Sequence, residues 1–243
     1  MNYGLILAGG VGQRMRRTGM PKQFLEVFGK PIIIYTLQKF EYCEDIDEVV
    51  IVCHSSWKDY MEAMIQRYGI KKVEAVISGG KDRQDSVRNG LKYIQENGAS
   101  DADVVVIHDG VRPLIQENIL SENVRVAKKY GSAMTVRPVI ESVVITANDE
   151  AKFEDFKKRD ETYSLTAPQS FQLHVLTEAY KNIEDGETPM PLLDSALVYT
   201  YLGNKIHIIK ENNNNIKVTT PEDYYILKAM IELEENRYVF GIN

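Results

Sequence analysis

The sequence predicts an α/β protein in which helices cover both faces of a mostly parallel sheet. Three short apolar runs are rich in β-branched residues and end in polar residues or glycine, as buried parallel strands do: residues 3–9, 48–54 and 103–109. Segments with a helical spacing of apolar residues lie between them: residues 31–43, 57–69 and 83–98. Strands that alternate with helices in this way indicate a parallel sheet whose crossover helices lie on its faces.

The remaining segments extend this Rossmann-like alternation of strands and helices, apart from one segment that departs from it. We predict two further strands, over residues 72–78 and 205–210, and three further helices, over residues 173–183, 194–203 and 221–235. Pro221 stands in the first turn of the closing helix, where proline is tolerated. Residues 131–149 have the pattern of two extended pieces, and residues 137–166 are predicted to leave the core as a β-arm. Residues 1–243 are otherwise predicted to form a single domain.

The composition is ordinary for a soluble globular protein and argues against several function classes. Hydrophobic residues make up 44% of the 243 positions, charged residues 26%, and the formal net charge is -6. An acidic chain has no general attraction for nucleic acid or anionic membranes. No stretch approaches the roughly 20 apolar residues of a membrane span, and Gly9 and Gly10 interrupt the first apolar run. We therefore expect a cytoplasmic protein; Cys43 and Cys53 match neither a metal motif nor a disulfide framework.

The first predicted strand ends in a glycine cluster that two cations follow. LILAGGVGQRM occupies residues 5–15, so Gly9, Gly10 and Gly12 come before Arg14, and Lys22 lies eight residues farther on. Ligands bind outside the carboxyl ends of strands in open α/β sheets. Glycine N–H groups can approach an anion closely, and both cations suit phosphate oxygens. The pattern favours a polyphosphate site over a glycine turn with solvent-facing cations, although it is neither a dinucleotide fingerprint nor a P-loop.

Four ordered motifs resemble those of one enzyme family. L-A-G-G-x-G-x-R-M followed by P-K is similar to the loop of nucleotidyltransferases that join a nucleoside triphosphate to a sugar phosphate. GGKDRQDSVRNGL (79–91), IHDGVRP (107–113) and NIKVTTPEDY (215–224) resemble later motifs of the cytidylyltransferases that act on methylerythritol phosphate or ribitol 5-phosphate. The resemblance extends from about residue 3 to residue 232. It implies transfer of CMP from CTP to a polyol phosphate, release of pyrophosphate, and a homodimer.

The resemblance also implies roles for individual residues. The catalytic cations would be Arg14, Lys22 and Lys217, and Asp109 would hold Mg²⁺, because a carboxylate beside a triphosphate needs a bridging cation. The nucleotide would contact Ala8, Gly9, Gly10, Gly12, Gly80, Arg83, Ser86, Asp109 and Gly110. Arg112 is expected to brace this region. The attacking phosphate is already an anion, so catalysis would consist of positioning and electrostatic stabilisation without a general base. Alternatively, Asp109 caps a helix or turn, and Lys217 is a solvated lysine at a strand end.

The acceptor half matches the family less closely. In the family, an arginine from one subunit's arm reaches the acceptor phosphate bound by the other, and Arg159 matches that position; the alternative is a charged arm surface. The stretch RD…Y…PQSF resembles the ribitol-phosphate branch, which favours D-ribitol 5-phosphate over 2-C-methyl-D-erythritol 4-phosphate as the acceptor. Ala167 stands where the family has a threonine, Glu141 and Ser142 replace D-T, and PLLD ending at Asp194 replaces T-D-[DE].

Two other functions remain open from sequence alone. The opening loop alone would permit a hexose-1-phosphate nucleotidylyltransferase that uses another base, although PKQ and NIKVTTPED argue against it. A nucleotide-binding regulatory protein without turnover is the alternative that the altered acceptor residues suggest. The presence of Arg14, Lys22, Asp109 and Lys217 argues against this second alternative.

Overall fold

A seven-stranded sheet forms the centre of the computed structural model, which describes residues 1–10, 19–147, 149–183, 191–212 and 214–240. The strands of this sheet are β1 (Asn2–Ala8), β4 (Glu48–Cys53), β5 (Val73–Ser78), β6 (Val104–Asp109), β7 (Ser132–Pro138), β8 (Tyr163–Gln172) and β9 (His207–Lys210). Two short strands, β2 (Glu26–Val27) and β3 (Lys30–Pro31), pair with each other in a separate hairpin. The order across the main sheet is β5-β4-β1-β6-β8-β7-β9, and β8 runs antiparallel to both of its neighbours.

The helices that connect and cover these strands are α1 (Ile32–Tyr42), α2 (Lys58–Tyr68), α3 (Arg83–Glu96), α4 (Glu117–Tyr130), α5 (Leu173–Asn182), α6 (Ser195–Tyr201) and α7 (Pro221–Phe240). The predicted fold class is confirmed. One large apolar cluster lies on the face covered by α1, α2 and α4, and a second lies beneath α3, α5 and α6. Both faces of the sheet are therefore buried, as its continuous apolar strands require.

Helix α4 was not predicted from the sequence. Its fully or nearly fully buried residues Leu120, Val124 and Ala127 recur at a helical spacing, and the helix ends at Gly131, which has a left-handed φ of 85°. Both signals are typical of an amphipathic helix with a glycine at its carboxyl end. Polar residues dominate the other face, which is why no continuous apolar run marks the helix.

The strand order places a crevice at the carboxyl ends of β1 and β6. From β1 the chain builds outward through β4 and β5, and it then crosses to the opposite side of β1 to form β6. In the parallel register Leu7 lies beside Asp109, and on the other side Ala8 lies beside Cys53. Such a reversal of strand order is where open α/β sheets bind ligands.

The chain leaves the sheet between β7 and β8. Residues 139–162 form an excursion in which Val144 and Phe156 make an antiparallel bridge, with Ile145 N bonded to Asp155 O at 3.0 Å. Phe153 on this excursion is 92% exposed. The predicted arm, 137–166, therefore includes a few residues at each end that pair within the sheet.

None of the helices in the described ranges has the length and apolar character needed to cross a bilayer.

Candidate active site

A cavity of about 370 Å³ opens at the crevice between β1 and β6. It is lined by Leu7, Ala8, Gly9, Gly10, Lys22, Gln23, Gly80, Lys81, Asp82, Arg83, Ser86, Asp109, Val111 and Lys217. The lining combines the end of β1, the loop before α3, the end of β6 and the segment before α7. Four of these side chains are cationic, so the cavity suits a ligand that carries several negative charges.

The loop before α3 forms one wall through a compact set of hydrogen bonds. Asp82 caps the helix because its Oδ1 atom accepts a hydrogen bond from Asp85 N at 2.9 Å. The Ser86 hydroxyl donates to the Asp82 carbonyl at 2.8 Å and accepts from Gly80 N at 3.1 Å. Ser86 thereby holds the loop against the first turn of α3 through two hydrogen bonds. Arg83, at the first position of α3, lines the cavity.

Gly80 has no room for a side chain, and Gly80→Ala is expected to disturb this wall. A Cβ atom at Gly80 would lie 2.2 Å from Asp85 Cβ and 2.9 Å from the Asp85 carbonyl carbon, and the backbone there is held by the helix. The loop would have to move, and we expect the KM for CTP to rise about tenfold, since misplacement of contacts by about 1 Å can cost up to about 10²-fold. Steady-state kinetics at saturating acceptor tests this. An unchanged KM would mean that the loop does not contact the nucleotide.

Asp109 lies at the floor of the cavity and is surrounded by three cations. Its Oδ2 atom lies 3.0 Å from Lys217 Nζ and 3.1 Å from Arg112 Nε, and its Oδ1 atom lies 3.6 Å from Arg83 Nη1. Burial alone would raise the pKa of the Asp109 carboxyl, but the charges of Arg83, Lys217 and Arg112 outweigh it and hold the pKa well below its ordinary value. Asp109 is therefore ionised, and the cluster keeps an excess of positive charge.

The segment that carries Lys217 is fixed to the end of β6. Val218 N donates to the Val111 carbonyl at 2.9 Å, and Arg112 Nη1 donates to the Asn215 carbonyl at 3.0 Å. Arg112 thus braces the region, as its position in the sequence predicts, and it also contacts Asp109 directly.

Asp223 fixes the other end of this segment at the start of α7. Its Oδ2 atom accepts hydrogen bonds from Thr219 N and Oγ1, both at 2.7 Å, and from Thr220 N at 2.8 Å. Asp223 N lies 3.4 Å from Thr220 Oγ1, which completes the reciprocal pattern of a capping box. The spacing of Thr220 and Asp223, T-x-x-D before a helix, is the sequence signal of this cap.

Replacement of Asp223 by alanine is expected to destabilise the protein by about 1 kcal/mol at neutral pH. Burial alone would raise the pKa of this carboxyl, but hydrogen bonds from Thr219 and Thr220 outweigh it and lower the pKa. A lowered folded-state pKa means that the stabilisation is present above the unfolded-state pKa and is lost as the pH falls through the folded-state value. Urea unfolding should therefore show a larger difference from wild type at pH 7 than at pH 3.5. Glu222→Ala, at the exposed neighbouring position, should show a smaller difference.

Lys22 and Gln23 form another part of the cavity lining. They belong to a short 3-10 helix over Lys22–Phe24, and Gln23 Nε2 donates to the Ala8 carbonyl at 2.7 Å. Phe24 is fully buried and packs against the rings of Trp57 and Tyr60. This packing anchors the Lys22 backbone close to the glycine loop.

Two of the predicted residues that the structure describes, Gly110 and Arg159, do not line the cavity. Gly110 is buried, and a Cβ atom there would lie 2.5 Å from Ile33 Cδ1 and 3.3 Å from the Leu7 carbonyl, so its glycine serves packing. Arg159 is exposed on the arm, in a 3-10 helix over Arg159–Glu161. Gly12 and Arg14 lie outside the described residues.

The structure brings together the other predicted site residues: Ala8, Gly9, Gly10, Lys22, Gly80, Arg83, Ser86, Asp109 and Lys217. The cavity lining also includes five residues that were not predicted from the sequence: Leu7, Gln23, Lys81, Asp82 and Val111. The Gln in P-K-Q was visible as a motif letter, whereas an isolated lysine such as Lys81 carries no sequence signal.

The two carboxylate oxygens of Asp109 differ in their contacts with cations: Oδ2 lies beside Lys217 Nζ and Arg112 Nε, whereas Oδ1 has the longer contact, 3.6 Å, with Arg83 Nη1. No group of three or more His, Cys, Asp or Glu side chains suited to a metal occurs in the part of the chain that is described. A carboxylate offers about four lone-pair directions, and three neighbouring cations contact that of Asp109. Mg²⁺ commonly binds through one or two carboxylates and completes its shell with phosphate oxygens and water.

Comparison with known proteins agrees with this geometry. The family model described as IspD, 2-C-methyl-D-erythritol 4-phosphate cytidylyltransferase, matches residues 3–233. A ribitol-5-phosphate cytidylyltransferase of Streptococcus agalactiae serotype III is 42% identical over 243 residues, which is 100% of both chains. One from Vibrio parahaemolyticus is 41% identical over 241 residues, covering 99% of this chain and 100% of the relative.

Solved structures share the fold. The 4-diphosphocytidyl-2C-methyl-D-erythritol synthase of Anaerococcus prevotii superposes with a TM-score of 0.79 at 22% identity and covers 96% of each chain. The 2-C-methyl-D-erythritol 4-phosphate cytidylyltransferase of Francisella tularensis gives a TM-score of 0.72 at 22% identity, covering 94% of this chain and 99% of that one. With a family model that matches almost the whole chain and full-length relatives above 40% identity, the chain belongs to the IspD family of cytidylyltransferases.

Proposed function

We propose that this protein transfers CMP from CTP to D-ribitol 5-phosphate and releases pyrophosphate. The observation that carries the proposal is the cluster of Arg83, Arg112 and Lys217 around Asp109 at the floor of a glycine-lined crevice. Such a site suits a polyphosphate, and family membership favours CTP as the ligand that carries it. The full-length relatives named as ribitol-5-phosphate cytidylyltransferases favour that acceptor.

The proposed chemistry is one displacement at phosphorus. A phosphate oxygen of the acceptor attacks the α-phosphorus of CTP, and the bond from that phosphorus to the oxygen bridging the β-phosphate breaks. Pyrophosphate leaves with the electron pair. Two anions meet in this step, so the protein's contribution is to hold them in line and to stabilise the negative charge of the transition state.

Residues on different walls of the cavity would bind different parts of the substrates. Gly9 and Gly10 would bind the triphosphate through backbone N–H groups, with Ala8 beside them, and Gly12 and Arg14 would extend this loop. The loop of Gly80, Arg83 and Ser86 would position the nucleoside half, while Gly110 supports the floor through packing. Lys22 and Lys217 would approach the reacting phosphates from opposite sides of the cavity, stabilising the transition state and the leaving pyrophosphate.

Mg²⁺ is proposed as the cofactor, held by Asp109 and phosphate oxygens. When bound, it would neutralise part of the phosphate charge and polarise the α-phosphate. Arg83 and Lys217 keep the Asp109 carboxylate oriented towards the cavity, which is the contribution that this chain's residues make to metal binding.

A homodimer is proposed to complete the acceptor site. Arg159 lies on the excursion, outside its own cavity, and would contact the acceptor phosphate bound by the partner subunit. The exposed apolar residues Ile140, Ile145 and Phe153 of the same excursion are available for burial between subunits. The CTP requirement also implies a cytoplasmic location.

2-C-methyl-D-erythritol 4-phosphate is the second candidate acceptor, because the matching family model carries that name. Ala167 is 2% exposed and has no hydroxyl to offer where the family sequence pattern has threonine. The missing hydroxyl argues for a different acceptor contact in this chain.

Pyrophosphate release tests the proposal directly. Purified protein with CTP and Mg²⁺ would receive D-ribitol 5-phosphate or 2-C-methyl-D-erythritol 4-phosphate in parallel reactions. We expect turnover with ribitol 5-phosphate and at least tenfold lower kcat/KM with the methylerythritol compound, a difference of about 1.4 kcal/mol in transition-state binding. Preference for the methylerythritol compound would reverse the acceptor assignment. Binding of CTP without turnover of either compound would contradict the proposed activity.

A further inference from the structure

A buried polar junction lies behind the cavity, where the segment before Lys217 meets β8 and β9. Glu211 directly follows β9 and is 7% exposed, and Asn215 is 3% exposed. Asn215 Nδ2 donates to Glu211 Oε2 at 2.9 Å and to the Ala167 carbonyl at 2.6 Å. The side chain of Asn215 therefore links the end of β9 to β8.

The same junction reaches the cation cluster through the backbone of Asn215. The Asn215 carbonyl accepts a hydrogen bond from Arg112 Nη1 at 3.0 Å, and Arg112 Nε lies 3.1 Å from Asp109 Oδ2. Lys217, two residues beyond Asn215, lies 3.0 Å from the same carboxylate oxygen. A continuous series of contacts therefore runs from Glu211 to the centre of the cavity.

A glutamate buried at position 211 is not expected to stabilise the folded protein. Burial of a carboxylate is costly unless it is paired and fully hydrogen-bonded. Within the described ranges, Glu211 Oε1 is buried and accepts no hydrogen bond of good geometry. Burial raises the pKa of the Glu211 carboxyl above its ordinary value, although the nearby Thr166 and Asn215 side chains and the charges of Arg112 and Arg137 oppose the shift. Residues that break local packing rules in this way occur chiefly at functional sites.

We propose that Glu211 is a positioning residue for the transfer reaction, acting through Asn215 to place Arg112 and Lys217 around Asp109. The inference rests on the proposed function, because these cations matter to catalysis only if the cavity carries out nucleotidyl transfer. Glu211 itself touches no substrate, since its carboxylate is buried behind the cavity wall.

The geometry implies an effect on kcat rather than on nucleotide binding. The glycine loop and the Gly80 loop line the cavity, and under the proposed function they would contact the nucleotide from walls that Glu211 and Asn215 do not contact. Loss of the junction would displace Lys217 and Arg112, and a displacement of about 1 Å can lower a rate by about 10²-fold.

A double-mutant cycle measured by pyrophosphate release tests this inference. We expect Asn215→Ala to lower kcat about 10²-fold and Glu211→Gln to lower it about tenfold, with the KM for CTP changed by no more than about threefold. The double variant should be no slower than Asn215→Ala, because one residue acts through the other. Glu178→Gln and Asn182→Ala, at exposed positions of α5, are matched controls that should keep the wild-type kcat.

Three outcomes of these measurements, compared with thermal unfolding of the same variants, would overturn the inference. The first is a wild-type kcat in Asn215→Ala or in Glu211→Gln. The second is a double variant whose rate loss is the product of the two single losses. The third is a loss of activity that merely follows the loss of folded protein in thermal unfolding.

A second readout does not depend on turnover. The Arg112 side chain is 11% exposed, and its Nε–H group can be followed by nuclear magnetic resonance. Asn215→Ala and Glu211→Gln should shift this signal, and the two α5 controls should not. Shifts in a protein that turns over no polyol phosphate would reject the proposed function while retaining the link from Glu211 to Arg112. An unchanged signal in both variants would overturn the link itself.

Discussion

Lys217→Met is expected to lower kcat/KM by about 10²- to 10³-fold, the usual cost of removing one group that stabilises transition-state charge. Lys217 Nζ lies 3.0 Å from Asp109, and its side chain is 41% exposed at the cavity, so it can reach a bound phosphate. Methionine keeps the length and apolar stem of lysine but removes the charge. Arg83 and Arg112 still pair with Asp109, so the melting temperature should change little.

Lys92→Met is the matched control for this prediction. Lys92 has a 73% exposed side chain on α3, where it pairs with Glu96 at 3.8 Å. Its replacement should leave kcat/KM unchanged, because exposed pairs of this kind contribute little. A Lys217→Met enzyme within threefold of wild type would show that this lysine is a solvated residue and not part of the catalytic machinery.

Asp109→Asn is expected to lower kcat about 10²-fold or more and to raise the Mg²⁺ concentration required for half-maximal activity. The substitution keeps the size of the side chain but removes the charge that would hold the metal. It also leaves Arg83, Arg112 and Lys217 without their shared anion. Removing one partner from a buried ionic cluster typically costs about 3–5 kcal/mol, so the melting temperature should fall.

Adding pyrophosphate as a ligand distinguishes the loss of metal binding in Asp109→Asn from the loss of the anion that the three cations share. This polyanion should restore part of the lost melting temperature, because it supplies negative charge to the three cations. Asp101→Asn, at an exposed position before β6, should change neither the metal requirement nor the melting temperature. If Asp109→Asn required the same Mg²⁺ concentration as wild type, Asp109 would be an organiser of cations and not a metal ligand.

Much of the fold could be predicted because its central strands are buried on both faces. β1, β4 and β6 each appear in the sequence as short apolar runs that end in glycine or polar residues, so their positions differed from the predictions by no more than a residue at either end. The proximity of Gly9 and Asp109 was also predictable, since carboxyl ends of parallel strands meet at one edge of the sheet. The two-residue strands β2 and β3 were missed, because they are too short to show a period.

The convergence of three cations on Asp109 could not be predicted from periodicity. Arg83, Arg112 and Lys217 come from three distant segments, and their meeting depends on the strand order and on the return of the chain after β9. Gly110 shows a second reason for a glycine in a motif: ligand contact stays a prediction there, while the absence of a side chain accommodates Ile33. A motif letter does not distinguish a residue needed by the ligand from one needed by the packing.

The position of β1 between β4 and β6 has a consequence for the order in which the parts of the site form as the chain is synthesised. β1 pairs with β6, about 100 residues later, and the cluster around Asp109 still lacks Lys217 until the segment that follows β9 has emerged. Contacts so distant in sequence form late, because the intervening chain must first be ordered. A ribosome-bound intermediate would thus carry Gly9 and Gly10 without the full set of cations, and catalytic competence would arrive only after the segment that follows β9 has docked beside Asp109.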